Sequence, residues 1–198
     1  VVTLSHRGYI KRVPADTYRA QRRGGRGITG MITREEDVVY DMRSANTHDG
    51  VLFFTDRGRV FQIKAHQIPE AERTAKGLPL INLIALDKGE AVTAMLPVPR
   101  NNGAHYLVMA TRHGKIKRTE LSEFEAVRPS GIIALNLEPG DALNWVKLTD
   151  GTQDILMISA NGQALRFPET EVRAMGRSAT GVNAIRLDDK DQIAKIRN

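Results

Sequence analysis

Three arginines stand within five residues in the run Gln21-Arg22-Arg23-Gly24-Gly25-Arg26-Gly27. The planar guanidinium fork matches phosphate oxygens in pairs and does not lose its charge. Glycine has no side chain, so the backbone beside it can approach a polyanion closely and add its own N–H groups. Arginine and glycine in this order are the chemistry of a phosphate-backbone clamp. The overlapping run Gly25-Arg26-Gly27-Ile28-Thr29-Gly30 also satisfies G-x-G-x-x-G. A dinucleotide site needs a strand before that run and a helix after it. Here an arginine loop comes before and the short Met31-Ile32-Thr33 segment after, so that reading fails.

The charge distribution points to the same partner. The net charge of the 198 residues is +6. Arg7, Lys11, Arg12, Arg19, Arg22, Arg23 and Arg26 face only Asp16 within residues 1–27, and the rest of the chain is neutral. An excess gathered at one end favours a polyanion, nucleic acid first and an anionic membrane second.

Other chemistries find little footing. There is no cysteine, which removes disulfides, thiolate metal sites and thiol catalysis and fits a reducing compartment. His6, His48, His66, His105 and His113 lack metal-ligand spacing. Glu35-Glu36 and Asp188-Asp189 read as solvated turn acids. Tyr9, Tyr18, Tyr40 and Tyr106 fall in strands or at strand ends, with no setting for a nucleophile. No Walker-type phosphate loop occurs. The sequence therefore predicts binding without catalytic residues, metal ligands or a cofactor. No run approaches the roughly 20 apolar residues of a membrane helix, and 41% hydrophobic against 26% charged residues is the balance of a folded domain.

The elements that must position the arginines announce themselves by repetition. Four apolar runs each end in a turn closed by glycine: Ser5-His6-Arg7-Gly8, Thr55-Asp56-Arg57-Gly58, Thr111-Arg112-His113-Gly114 and Ser159-Ala160-Asn161-Gly162. Ten residues beyond each glycine stands Tyr18, Ile68, Phe124 or Val172, and a second glycine follows at Gly27, Gly77, Gly131 and Gly181. Asp37, Glu90, Asp141 and Asp191 then precede another apolar stretch. The repeats run approximately over 1–49, 50–103, 104–153 and 154–198.

Each repeat reads as four short strands. In the third they fall at about 105–111, 115–119, 131–137 and 143–149. The runs are short and rich in Val, Ile, Leu and Phe, and turn glycines separate them. Residues 70–75 predict at most one helical turn. Ile116 is expected to point inward, with Lys115, Lys117 and Arg118 outward. Phe53, Phe54, Leu107, Met109, Leu156, Met157, Met95 and Trp145 are the expected core. Four-stranded units of this length predict an all-β array of stacked blades, each stabilised by its neighbours.

Gln21 through Gly27, in this repeat and position, resembles the gyrase A-box of the C-terminal domain of bacterial DNA gyrase A. Val1-Val2-Thr3-Leu4-Ser5-His6-Arg7-Gly8-Tyr9 is similar to that family's first-blade opening, Ala45-Asn46-Thr47-His48-Asp49 to its first connection between blades, and Val172-Arg173-Ala174-Met175-Gly176 to a fourth-blade loop. The resemblance implies a β-pinwheel, a propeller-like disc whose blades exchange strands. It implies about six blades, so four repeats read as a piece of a larger domain. It further implies that duplex DNA wraps the basic outer rim and sets the crossing that lets the enzyme introduce negative supercoils. The implied partners are the N-terminal part of gyrase A, together with gyrase B, in an A2B2 enzyme, with no membrane. ATP and Mg2+ would act through other domains. The isolated domain would be monomeric, and the location the bacterial cytoplasm at the nucleoid.

Aligned repeats extend the expected rim. Arg23, Arg73 and Arg177 lie fifteen residues after the first glycine of their repeats, Arg128 lies fourteen after, and Lys76 follows Arg73. Lys11-Arg12, Lys117-Arg118 and Arg166 recur three or four residues after that glycine, where the second repeat has Phe61-Gln62. Two other readings compete: the equivalent C-terminal domain of topoisomerase IV, which steers substrate choice and generally lacks an intact box, and a blade-type protein-interaction scaffold, which needs no arginine cluster.

Overall fold

The computed structural model describes residues 1–18, 20, 22–31, 37–99 and 103–198. Their strands, in chain order, are β1 (Val2–Ser5), β2 (Tyr9–Arg12), β3 (Val39–Arg43), β4 (Gly50–Thr55), β5 (Arg59–Lys64), β6 (Leu78–Pro79), β7 (Val92–Val98), β8 (Tyr106–Thr111), β9 (Lys115–Glu120), β10 (Ile132–Ile133), β11 (Leu143–Thr149), β12 (Asp154–Ser159), β13 (Ala164–Pro168), β14 (Val182–Asn183) and β15 (Ile193–Arg197). Among the described residues the only helical pieces are single 3-10 turns. Residues 70–75 form no helix. Glu70 instead makes a parallel bridge to Arg12, and the Ala75 N–H closes a turn on the Glu72 carbonyl at 3.0 Å.

Four antiparallel sheets stand in a propeller-like ring, in the orders β3-β1-β2-β6, β7-β4-β5-β10, β11-β8-β9-β14 and β15-β12-β13. Each begins as a hairpin from one repeat. The turn glycines Gly8, Gly58, Gly114 and Gly162 take φ of +80°, +74°, +88° and +90°, which an L side chain resists. The Ser5, Thr55, Thr111 and Ser159 hydroxyls accept the N–H four residues on, at 3.1, 3.3, 3.1 and 3.1 Å. Asp37, Asp141 and Asp191 accept turn N–H groups of Arg7, His113 and Asn161 at 3.0, 3.0 and 3.1 Å. The recurring acids are therefore braces for the hairpin turns.

The third strand of the second, third and fourth expected units is only two residues long, and it pairs with the wrong hairpin for a simple meander. β6 joins β2 of the preceding repeat, β10 joins β5, and β14 joins β9. Neighbouring repeats are thereby stitched by backbone hydrogen bonds as well as by packing.

The hairpins of the first three blades bury residues on both faces, which explains the continuous apolar run of β4, whereas β12 buries only its alternate residues Ile155, Met157 and Ser159. Phe53 and Phe54 point to opposite faces. Phe53 packs with Val2, Leu4, Ile10 and Met95 against the first blade, and Phe54 with Leu107, Met109 and Phe124 against the third. Met157 and Ile155 meet Val108 and Ile116 between the third and fourth, where part-buried Trp145 also lies. Leu156 is likewise only part-buried. Truncating one such phenylalanine would cost about 3–5 kcal/mol.

Candidate nucleic-acid interface

Arg22, Arg23, Gly24, Gly25, Arg26 and Gly27 are all exposed, and Gln21 lies outside the described residues. The Gly25 N–H closes a turn on the Arg22 carbonyl at 2.9 Å, and Gly24 holds φ at +83°, a conformation that needs glycine. The turn sets the arginines on a tight bend. Among the described residues none of these three arginines enters an ion pair, so their donors face solvent. The loop is nevertheless anchored at its end. Lys11 Nζ donates to the Gly30 carbonyl at 3.0 Å, the Arg73 guanidinium donates to the Thr29 carbonyl, and the Tyr18 hydroxyl reaches Gly30 at 3.4 Å.

Lys11 and Lys117 correct the outward expectation: each is fully buried. Lys11 Nζ also donates to the carbonyls of Glu72, Arg73 and Ala75. Lys117 Nζ donates to those of Ala134, Gly176 and Arg177 at 2.5, 3.1 and 2.6 Å. Strand alternation fails here because neighbouring blades cover both faces of β2 and β9. An ammonium is tolerated because carbonyls replace its water. Burial pushes the Lys11 amine below its usual range, with Arg73 adding to the fall. Burial likewise pushes Lys117 down to about 8, opposed by Glu123 and assisted by Arg177. Arg118 is also almost buried, its guanidinium 4.4 Å from the Tyr106 ring centroid and 3.8 Å from Glu169. These three side chains hold the blades together and do not face the rim. Sequence reasoning missed the carbonyl cages. Their one signal was that lysine recurs at the same offset in the first and third repeats while phenylalanine stands there in the second.

The other predicted cations stay accessible. Arg12 pairs with Glu70 at 2.6 Å, Arg166 with Asp154 at 2.5 Å and Arg177 with Glu123 at 3.7 Å. Exposed partners of this kind screen charge without neutralising it for a stronger ligand. Lys76 Nζ sits 3.6 Å from the Tyr9 ring centroid, and Arg128 is exposed. The loops bearing Arg73, Arg128 and Arg177 lead into β6, β10 and β14, which lie at the opposite edge of the first three sheets from β3, β7 and β11. Their arginines therefore recur along the outer edge of the ring. Among the described residues no group of three or more His, Asp or Glu could hold a metal ion, and no helix is long and apolar enough to cross a membrane.

A family model described as the DNA gyrase C-terminal domain, beta-propeller, matches residues 1–46, 51–99, 105–150 and 153–198. The chain belongs to this DNA gyrase C-terminal domain family. The DNA gyrase A protein of Halalkalibacterium halodurans is 48% identical over 185 residues, 93% of this chain and 22% of that protein. The chain thus spans about a fifth of the gyrase protein it matches. Among solved structures, a C-terminal domain of DNA topoisomerase IV is 30% identical with a TM-score of 0.81, covering 99% of this chain and 59% of that one. A DNA gyrase A C-terminal domain is 25% identical with a TM-score of 0.76, covering 98% and 63%. Membership of the gyrase family places the chain among domains of type IIA topoisomerases.

Proposed function

We propose that this domain binds duplex DNA along its outer edge without reading sequence and bends it into a wrap. The observation that carries this reading is the exposed Arg22-Arg23-Arg26 cluster on a loop pinned by Lys11. Arg12, Arg73, Lys76, Arg128, Arg166 and Arg177 continue the track. Phosphate contacts of this kind position a duplex without specifying bases. Sequence preference then enters only through the cost of bending.

In the whole enzyme the wrap gives the chiral crossing from which negative supercoils arise. The partners are DNA, the N-terminal part of gyrase A, and gyrase B, in an A2B2 assembly in the bacterial cytoplasm, and the domain is part of a larger, roughly six-bladed disc. It acts without a cofactor of its own, ATP and Mg2+ serving other domains. The deciding experiment relaxes a plasmid with a topoisomerase in the presence of this chain. A linking-number shift of one sign that grows with protein is expected, and binding without a shift overturns wrapping. That second outcome would favour the topoisomerase IV type of domain, a reading the TM-score of 0.81 keeps alive.

A further inference from the structure

The inner strands β3, β7, β11 and β15 converge on the axis of the ring, away from the arginine box. Six residues after the bracing acids Asp37, Glu90, Asp141 and Asp191 stand Arg43, Leu96, Lys147 and Arg197. Pairing shows that these positions are equivalent in space. Arg43 lies opposite Val2, Leu96 opposite Leu52, Lys147 opposite Val108 and Arg197 opposite Leu156, and each partner is six residues before its hairpin glycine. Three of four inner strands thus present a base at one level of the axis. Lys195 stands two residues before Arg197 and lines the same space.

That space is a cavity of about 290 Å3 whose lining includes Tyr40, Arg43, Asn144, Lys147 and Lys195. Among the described residues Asp41 is the one acid in the lining, and its Oδ2 already accepts from Arg43 Nε at 3.0 Å. Cations outnumber it three to one there, with Arg197 close enough to act on Lys147. Burial lowers the Lys147 amine below its usual range, and Arg43, Arg197 and Lys195 add to the fall against Asp41. Like charges held together repel unless an anion joins them. Hydrogen bonds between neighbouring inner strands frame the site. The Tyr40 hydroxyl donates to the Thr93 carbonyl at 2.8 Å, and the Thr93 hydroxyl to the Leu143 carbonyl at 2.7 Å.

We propose that this axial cavity is an anion site for a compact, multiply charged oligophosphate, held by Arg43, Lys147 and Lys195 with Arg197 beside them. A duplex is far too wide to enter, so the site is distinct from the outer track. Occupation would relieve the repulsion and brace the inner strands against one another.

The test is calorimetric titration of the chain with sodium tripolyphosphate at constant ionic strength. One saturable site is expected, weakened about tenfold by Lys147→Gln and by Arg43→Gln, each removing one charge-assisted contact. The triple alanine change at Arg22, Arg23 and Arg26 should leave it intact. Circular dichroism checks the fold of the Lys147 variant, and Arg43, 43% exposed at its side chain, supplies a variant with little structural risk. Tripolyphosphate should also raise the Lys147 titration midpoint followed by side-chain NMR. No saturable heat, equal affinity in both variants and wild type, or full displacement by duplex DNA would each overturn the proposal.

Discussion

Lys11 Nζ donates to the Gly30 carbonyl at 3.0 Å, so a side chain from the middle of β2 holds down the loop that carries Arg22, Arg23 and Arg26. The same nitrogen donates to carbonyls of the 72–75 loop, which ties the first two repeats together around the arginine box. Preorganisation of this kind keeps the ordering cost out of the binding step.

Lys11→Met tests the pin. It should lower stability by about 1–3 kcal/mol, because buried carbonyls lose their donor. Under conditions where the variant remains folded, DNA affinity should fall about fivefold, the cost of ordering a released loop. Urea unfolding and filter binding check the two effects. Unchanged affinity would mean that the loop needs no anchoring.

Replacing Arg22, Arg23 and Arg26 with alanine should weaken DNA binding while leaving unfolding midpoints unchanged, because the loop is fully exposed. Each lost phosphate contact removes about 0.9 from the log K against log salt slope, so the slope should shrink by roughly 2–3. Glutamine at the exposed Arg57, Lys88 and Arg186 is the matched control, away from the outer track. Equal losses in both triple variants would reduce the box to net charge.

Lys117 gives a pH signature. Its amine titrates at about 8 in the folded chain because it is buried. An unfolded lysine titrates near 10.4, so between these values the unfolded chain holds more protons and stability rises with pH. Below the folded value both forms are charged and the dependence disappears. Wild type should therefore gain on Lys117→Met by up to about 1.4 kcal/mol per pH unit across that window. Urea unfolding at steps from about pH 7 to about pH 10 checks it. A constant difference would mean that the carbonyl cage keeps the amine protonated.

Glu169 is fully buried and braces the link between the third and fourth blades. Its carboxylate accepts the Thr149 hydroxyl at 2.6 Å and the Gly151 and Gln153 N–H groups at 3.0 and 2.9 Å. Glu169→Ala leaves those donors without their acceptor and nearby Arg118 without its counter-charge, and should cost about 2–4 kcal/mol. Glu169→Gln, which keeps one acceptor oxygen, should fall between. Chemical denaturation ranks the three, and equal stability of wild type and the alanine variant would contradict the role.

The sequence by itself determined the hairpins, because a glycine turn and the strands flanking it are local. Gly8, Gly58, Gly114 and Gly162 mark them through a backbone conformation that only glycine adopts cheaply. It also marked the buried positions Ile68, Phe124 and Val172 through their constant offset, and the exposed arginine–glycine loop through composition. The tertiary structure alone decided that β6, β10 and β14 join the preceding blade, since a two-residue strand carries no periodicity to name its partner. It alone decided that Lys11 and Lys117 turn inward while Arg128 stays outside, all within predicted binding positions. A lysine's burial depends on carbonyls supplied from up to 64 residues away, and no local pattern encodes where those will stand.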